Sequence, residues 1–226
     1  MVTKSKRYLE CVKSYDSKKK YTLREGIEVL KGFSKAKFDE SVEVVMKLGI
    51  DPKRSDQMLR GSISLPKGIG KELRVVVFAK GEKADEAKGA GAVEVGAEEL
   101  VDKVEKGWMD FDVAIATPDM MRLIGKLGRV LGPQGKMPSP KSGTVTENIQ
   151  ETVKEFKAGK IEYRNDAGGN VHALVGRLSF GTEDLVANIE SFVRHIEASK
   201  PTSAKGTFLQ KTTISSTMGP GVKVTV

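Results

Sequence analysis

The side chains best placed to do chemistry are cations, hydroxyls and one aromatic ring, a set that binds polyanions and does not break bonds. KAKFDES (35–41) brings Lys35, Lys37 and Phe38 to the start of a predicted strand. Cations neutralise phosphates and an aromatic face stacks on an unpaired base, the combination that looped or single-stranded RNA selects. Taken alone, Phe38 could equally be the edge of a core. ISSTMGPGVKV (214–224) is a second such segment. The hydroxyls of Ser215, Ser216 and Thr217 can bond phosphates or ribose 2′-OH groups, and Gly219 lets backbone approach a ligand closely. An apolar Met218 wedged among hydroxyls separates this stretch from an ordinary turn. A third feature is Arg122, Lys126 and Arg129 at i, i+4 and i+7, continued by Lys136 and Lys141. On one helix these cations share a face opposite the core, and solvation is the commoner use of such a face.

Catalytic patterns fail on inspection. GRVLGPQGKM (128–137) has Gly135-Lys136, but Val130 stands where the phosphate-loop pattern needs glycine and Met137 where it needs Ser or Thr. GAGAVEVG (89–96) follows a predicted helix instead of a strand and carries Glu94 at the third glycine of the dinucleotide fingerprint. His195 falls on the polar face of its predicted helix with Asp184, Asn188 and Ser191, and reads as a solvated histidine. His172, beside Leu174 in an extended segment, reads as a partly buried strand residue. Two histidines and the lone Cys11 supply neither a structural zinc site nor an intramolecular disulfide. No cofactor is expected. An enzyme or small-ligand module in the middle of the chain is the alternative reading. It needs a phosphate-gripping turn after Phe78 or Ala116, and those positions read AKGEK and TPDMM.

The charge points the same way as the first two segments. The 226 residues carry 38 Lys plus Arg against 30 Asp plus Glu, a formal +8. Residues 1–67 hold 16 basic and 9 acidic side chains, and residues 159–226 hold 8 and 6. The middle, 68–158, holds 14 and 15. The surplus is therefore +9 on the two ends and −1 between them, which marks the ends as the polyanion-binding part. No apolar run approaches the roughly 20 residues of a membrane span. The first ten residues, MVTKSKRYLE, lack a secretory apolar stretch. A cytoplasmic protein with no membrane partner is expected.

The elements that must position these residues change character along the chain. LRVVVF (73–78), AVEV (92–95) and DVAIA (112–116) read as strands alternating with helices near 82–88 and 98–106. Thr117 is placed to cap a helix through Pro118 that buries Met120, Ile124, Leu127 and Leu131 and stops at Gly132. A further helix is predicted near 147–158. This alternation predicts a mainly parallel, three-layer α/β domain over 68–158. The flanks read as α+β. They hold a long strand with Val42, Val44, Met46, Leu48 and Ile50 on one face, and strands at 161–164 and 171–178 around the turn NDAGG (165–169). A helix over 183–197, capped by Thr182, and extended chain from Phe208 to Val224 complete them. Neither flank closes a core alone, so 1–67 and 159–226 are expected to fold together with 68–158 inserted. The glycine-bearing junctions LPKGIGK (65–71) and KAGK (157–160) read as hinges about which the insert can rock.

KFDESVEVVMKLGIDPKRSDQMLRG (37–61), GWMDFDVAIATPD (107–119), LGRVLGPQGKMPSPKSGTV (127–145), AGKIEYRND (158–166) and KGTFLQKTTISSTMGPGVKV (205–224) are long, ordered matches to one family. Over nearly its full length the chain resembles the bacterial large-subunit ribosomal protein one family, proteins of the mobile stalk beside the tRNA exit site. The resemblance implies a split RNA-binding domain with a Rossmann-like insert, monomeric when free. It implies binding to a helical junction of large-subunit ribosomal RNA, help in releasing deacylated exit-site tRNA, and repression of the protein's own operon mRNA. The family's RNA contacts carry onto Lys37, Phe38 and Ser41, onto Arg164, Asn165 and Asp166, and onto Ser215, Thr217, Met218 and Gly219. Apart from the resemblance, the stripe of Arg122, Lys126 and Arg129 is a candidate secondary RNA contact. The sequence departs from the familiar pattern at Ala167 (for lysine), at Ser41 and Ser216 (for threonine) and at Gly221 (for serine).

Overall fold

Apolar side chains at every second position from Val42 to Leu48 make that stretch a strand with one buried face. The computed structural model, which describes residues 4–34 and 36–225, builds the rest around such patterns. The N-terminal segment supplies α1 (Lys6–Lys13), β1 (Tyr21–Thr22), α2 (Leu23–Gly32), β2 (Ser41–Leu48) and β3 (Arg60–Ser64). Next come β4 (Val75–Phe78), α3 (Glu82–Gly89), β5 (Glu94–Gly96), α4 (Glu98–Glu105) and β6 (Val113–Ala116). The short helices α5 (Met121–Ile124) and α6 (Gly128–Leu131) precede α7 (Ile149–Ala158). The chain returns through β7 (Lys160–Arg164), β8 (Asn170–Arg177), α8 (Thr182–Ala198), β9 (Leu209–Ser216) and β10 (Val222–Thr225). Two compact units result, one from residues up to Gly70 together with Ile161 onward, the other Lys71–Lys160.

In the first unit a five-stranded sheet runs β1-β10-β9-β2-β8, and β3 pairs separately with β7. β2 is antiparallel to both its neighbours, while β1 is parallel to β10. Val42, Val44, Met46, Ile214, Val222 and Val224 turn toward a core completed by Ile27 and Leu30 of α2 and by Leu185, Ile189, Phe192 and Ile196 of α8, all buried. Gly26 makes this contact possible, since a Cβ there would lie 2.5 Å from Val224 Cγ1. Strand alternation then sends Ser41, Glu43, Val45 and Lys47 of β2, Lys211, Thr213 and Ser215 of β9 and Lys223 of β10 to the opposite face, where none of these eight is buried.

The second unit is a parallel sheet ordered β5-β4-β6. Val76 and Phe78 pack with Leu100, Val104, Ile124 and Leu131, whereas Val75 and Val77 pack with Ala87, Ile149, Val153 and Phe156. Both sheet faces are therefore dry, which explains why β4 reads as an unbroken apolar run.

Several expectations are corrected. The helix after Thr117 is a chain of short α and 3-10 turns, with Gly125 and Gly128 at the breaks, because glycine weakens helix interiors. Its apolar face is nonetheless buried as expected. Thr117 makes no side-chain cap bond there. Gly181, not Thr182, is the N-cap of α8. The strand expected at 92–95 begins at Glu94. Lys35 lies outside the described residues.

Candidate nucleic-acid interface

One buried carboxylate ties together the segments that carry the candidate residues, and sequence reading missed it. Glu40 is 2% exposed. Its Oε1 accepts the Ala36 N–H at 3.0 Å and faces Arg7 Nη1 at 3.4 Å, while Oε2 accepts the Met218 N–H at 3.0 Å. The Ser216 hydroxyl donates to the same carboxylate. Burial pushes the Glu40 carboxyl upward, but these hydrogen bonds and the Arg7 charge outweigh it and hold the group below the usual range. Arg7 also donates to the carbonyls of Ser34 at 3.2 Å and Met218 at 3.2 Å. Segments nearly the whole chain apart in sequence are thus tied at one point.

The sheet register completes the arrangement. Val42 pairs with Ser216 and Glu43 with Ser215. The Ser41 N–H donates to Thr217 Oγ1 at 2.9 Å, and the Thr217 N–H donates to the Ser41 carbonyl at 3.0 Å. Arg177 Nη1 donates to Ser41 Oγ at 3.2 Å. With backbone and carboxylate fixed, Phe38 (54% exposed) and Met218 (51% exposed) are held out into solvent. Lys37 and Thr217 are exposed beside them. Two large apolar groups thus stand outside the core with hydroxyls and cations near them, residue types that can stack on bases and bond phosphates.

Gly219 belongs here for a steric reason. A Cβ on it would stand 2.5 Å from Ser216 Oγ, the hydroxyl that bonds Glu40. Gly219→Ala is therefore expected to cost about 1–2 kcal/mol, the lower part of the range for a buried polar group that loses its partner. Calorimetry should show it as a melting point lowered by roughly 2–8 °C. An unchanged melting point would mean that the hydroxyl has room to turn aside.

The other three expected contacts lie elsewhere. β8 pairs Asn170 with Lys47 and Arg177 with Ser41, so the 165–169 turn sits at the far end of β2. The length of that strand separates the two places, about 20 Å. Arg164 is exposed there, but Asn165 and Asp166 are occupied by the backbone. Asn165 is buried, accepts the Leu59 N–H at 2.8 Å and donates to the Asp166 carbonyl at 3.1 Å. Asp166 accepts the Asn170 side chain at 2.9 Å and the N–H groups of Asn170 at 2.7 Å and Gly168 at 2.8 Å. Those bonds, the Asn170 side chain foremost, lower its carboxyl to about 2. Both residues shape the turn, leaving Arg164 as the free hand.

The remaining candidates sort as follows. Arg122, Lys126 and Arg129 are all exposed on the second unit. His195 is not simply solvated, since its Nε2 bonds the Tyr163 hydroxyl at 2.9 Å. His172 is exposed instead of partly buried, with Nε2 3.5 Å from Asp166 Oδ2. Asn188, expected on a polar face, is fully buried. A cavity of about 310 Å³ opens where β4 and β6 end, lined by Lys80, Glu82, Lys83, Thr117, Asp119 and Met120. Two lysines and two carboxylates leave it without net charge, a poor cradle for phosphate.

Comparison with known proteins follows the same line. The family model described as the ribosomal protein L1p/L10e family matches residues 30–220. The chain is 55% identical over 224 residues to the large ribosomal subunit protein uL1 of Kosmotoga olearia, covering 99% of this chain and 97% of that relative.

Proposed function

The chain belongs to the ribosomal protein L1p/L10e family, and from that premise we propose that its first unit is a split RNA-binding α+β domain. On this reading the second unit is a Rossmann-like insert, and the chain works in the cytoplasm as a component of the large ribosomal subunit. Membership of this family makes the protein a structural, non-enzymatic one. Its RNA is a helical junction of large-subunit ribosomal RNA, seated on the end of β2 that carries Ser41, Phe38, Thr217 and Met218. In the mobile stalk it assists release of deacylated tRNA from the exit site, and a similar element in its own operon mRNA lets it repress translation. Arg122, Lys126 and Arg129 offer a secondary contact on the insert.

The observation that carries the reading is the presentation of Phe38 and Met218, both about half exposed, on backbone fixed by Glu40. An exposed thioether and ring on a rigid, satisfied scaffold gain nothing for the free protein. They gain stacking area in a complex. The +9 surplus of the two flanks supplies the attraction.

Met218→Asp tests this on the intact protein with a fragment of large-subunit ribosomal RNA. Covering the exposed half of a methionine side chain is worth about 1–2 kcal/mol, so affinity should fall roughly 5- to 30-fold. Because Met218 is already half in water, the melting temperature should stay within about 2 °C. Wild-type affinity in a folded variant would remove this end of the sheet from the interface.

A further inference from the structure

Away from Glu40, the β1–β10–β9 side of the sheet carries a lysine cluster that the stacking end does not use. Lys18, Lys20, Lys211 and Lys223 line a cavity of about 270 Å³ with Leu209, Gln210, Thr212, Val224 and Thr225. All four lysines are exposed, and no carboxylate side chain is among the lining residues. Among the described residues none of the four has a carboxylate within ion-pair distance. The nearest acid in sequence, Asp16, accepts the Lys18 backbone N–H at 2.9 Å.

Register sharpens the point. Lys211 stands directly across from Lys47 in the β2–β9 ladder. Like charges placed opposite each other destabilise a sheet. Lys47 turns away to donate to the Gly168 carbonyl, which leaves Lys211 facing the cavity side. Lys223 pairs with Thr213 midway along β9, and Lys211 stands level with Lys47, so the cluster lies toward the end of the sheet opposite Ser41 and Thr217. Glu43 is the one acid of β2 on this face, and it pairs across with Ser215 instead of the lysines.

We infer that Lys18, Lys20, Lys211 and Lys223 form a phosphate-binding subsite that grips the ribose-phosphate backbone of the same RNA beyond the stacking end. The inference rests on the RNA-binding function proposed for the first unit and extends it. Phosphate contacts of this kind position an RNA without reading its bases. The stacking end would then fix which element is bound and the lysine cluster its direction across the sheet.

The test replaces all four lysines by glutamine in the full-length chain and measures affinity for a large-subunit ribosomal RNA fragment from low to high salt. Each phosphate left without its lysine should flatten the slope of log affinity against log salt by about 0.7–0.9, close to 3 for all four. Met218→Ala, which adds no charge, should in parallel lower affinity with its slope unchanged. A folded quadruple variant with the wild-type slope overturns the subsite while leaving the stacking end intact. No RNA binding by the wild type would instead remove the reading on which the subsite rests. Titration with inorganic phosphate, followed by NMR of the lysine side chains, distinguishes the source. Saturable phosphate shifts together with an unchanged RNA slope would mark a free-anion site and overturn the proposal. Shifts competed by the RNA fragment support it.

Discussion

Glu40→Ala is expected to cost the first unit about 3 kcal/mol, the lower end of the range for removing one partner of a buried ion pair, since Arg7 keeps some solvent. Four donors are deprived of their acceptor at once: the N–H groups of Ala36 and Met218, the Ser216 hydroxyl and Arg7. At this chain length the unit's melting transition should drop by roughly 6–12 °C. RNA affinity should fall as well, because the backbone that presents Met218 is no longer fixed. Glu40→Gln separates charge from shape. It keeps the volume and one acceptor oxygen, but its amide nitrogen meets donors, so an intermediate destabilisation is expected.

The pH dependence follows from the direction in which the folded protein moves this carboxyl. In the fold it ionises below the usual range, while in the unfolded chain it titrates near about 4.3. The stabilisation from Glu40 is therefore complete above about pH 4.5 and disappears as pH falls through the folded value. Glu40→Gln should flatten that acid limb in urea titrations below about pH 4.5. An acid limb identical to wild type would show that the carboxylate is not the group holding the two segments.

Asn188→Ala should be nearly as damaging, at about 2–4 kcal/mol, although Asn188 approaches no exposed surface of the site. Its Oδ1 accepts the Lys67 N–H at 3.0 Å, and its Nδ2 donates to the carbonyls of Gly68 at 2.9 Å and Val175 at 2.8 Å. One amide thus ties α8 both to β8 and to the loop after β3. Alanine leaves three backbone groups without partners. Asn188→Asp is the sharper probe, because a carboxylate still accepts from Lys67 but faces two carbonyls as an anion. At neutral pH it should be at least as destabilising as alanine, and it should recover as pH falls and the acid can donate. Urea midpoints for the two variants at about pH 7 and about pH 5 decide it. Near-wild-type stability of Asn188→Asp at neutral pH would contradict the bonding described.

These two residues show where sequence reading stops. Strand β2 and helix α8 were legible because alternation and the 3.6-residue period are local patterns imposed by one buried face. The same period placed Asn188 with Asp184 and Ser191, since a helical wheel sees polarity and not the carbonyls that a buried amide can serve. Glu40 carried no signal inside KFDES. Its partners come from positions 7, 36, 216 and 218, and no window along the chain contains them. NDAGG announced a turn correctly, but a turn signal does not say that Asp166 spends its carboxylate on making it. The helix after Thr117 kept its expected apolar face and gave up its regularity at Gly125 and Gly128.

By itself the sequence pointed to a polyanionic partner, through the basic flanks and the hydroxyl, aromatic and thioether side chains. It also determined the order of strands and helices, through periodicity. Both are properties of residue type and near spacing, which a linear chain records. Tertiary structure alone decided which of those residues meet. It joined Phe38 to Met218 through Glu40, set Arg164 about 20 Å away at the other end of β2, and opposed Lys211 to Lys47. Sheet register fixes such neighbours, and register depends on burying one face of every strand at once.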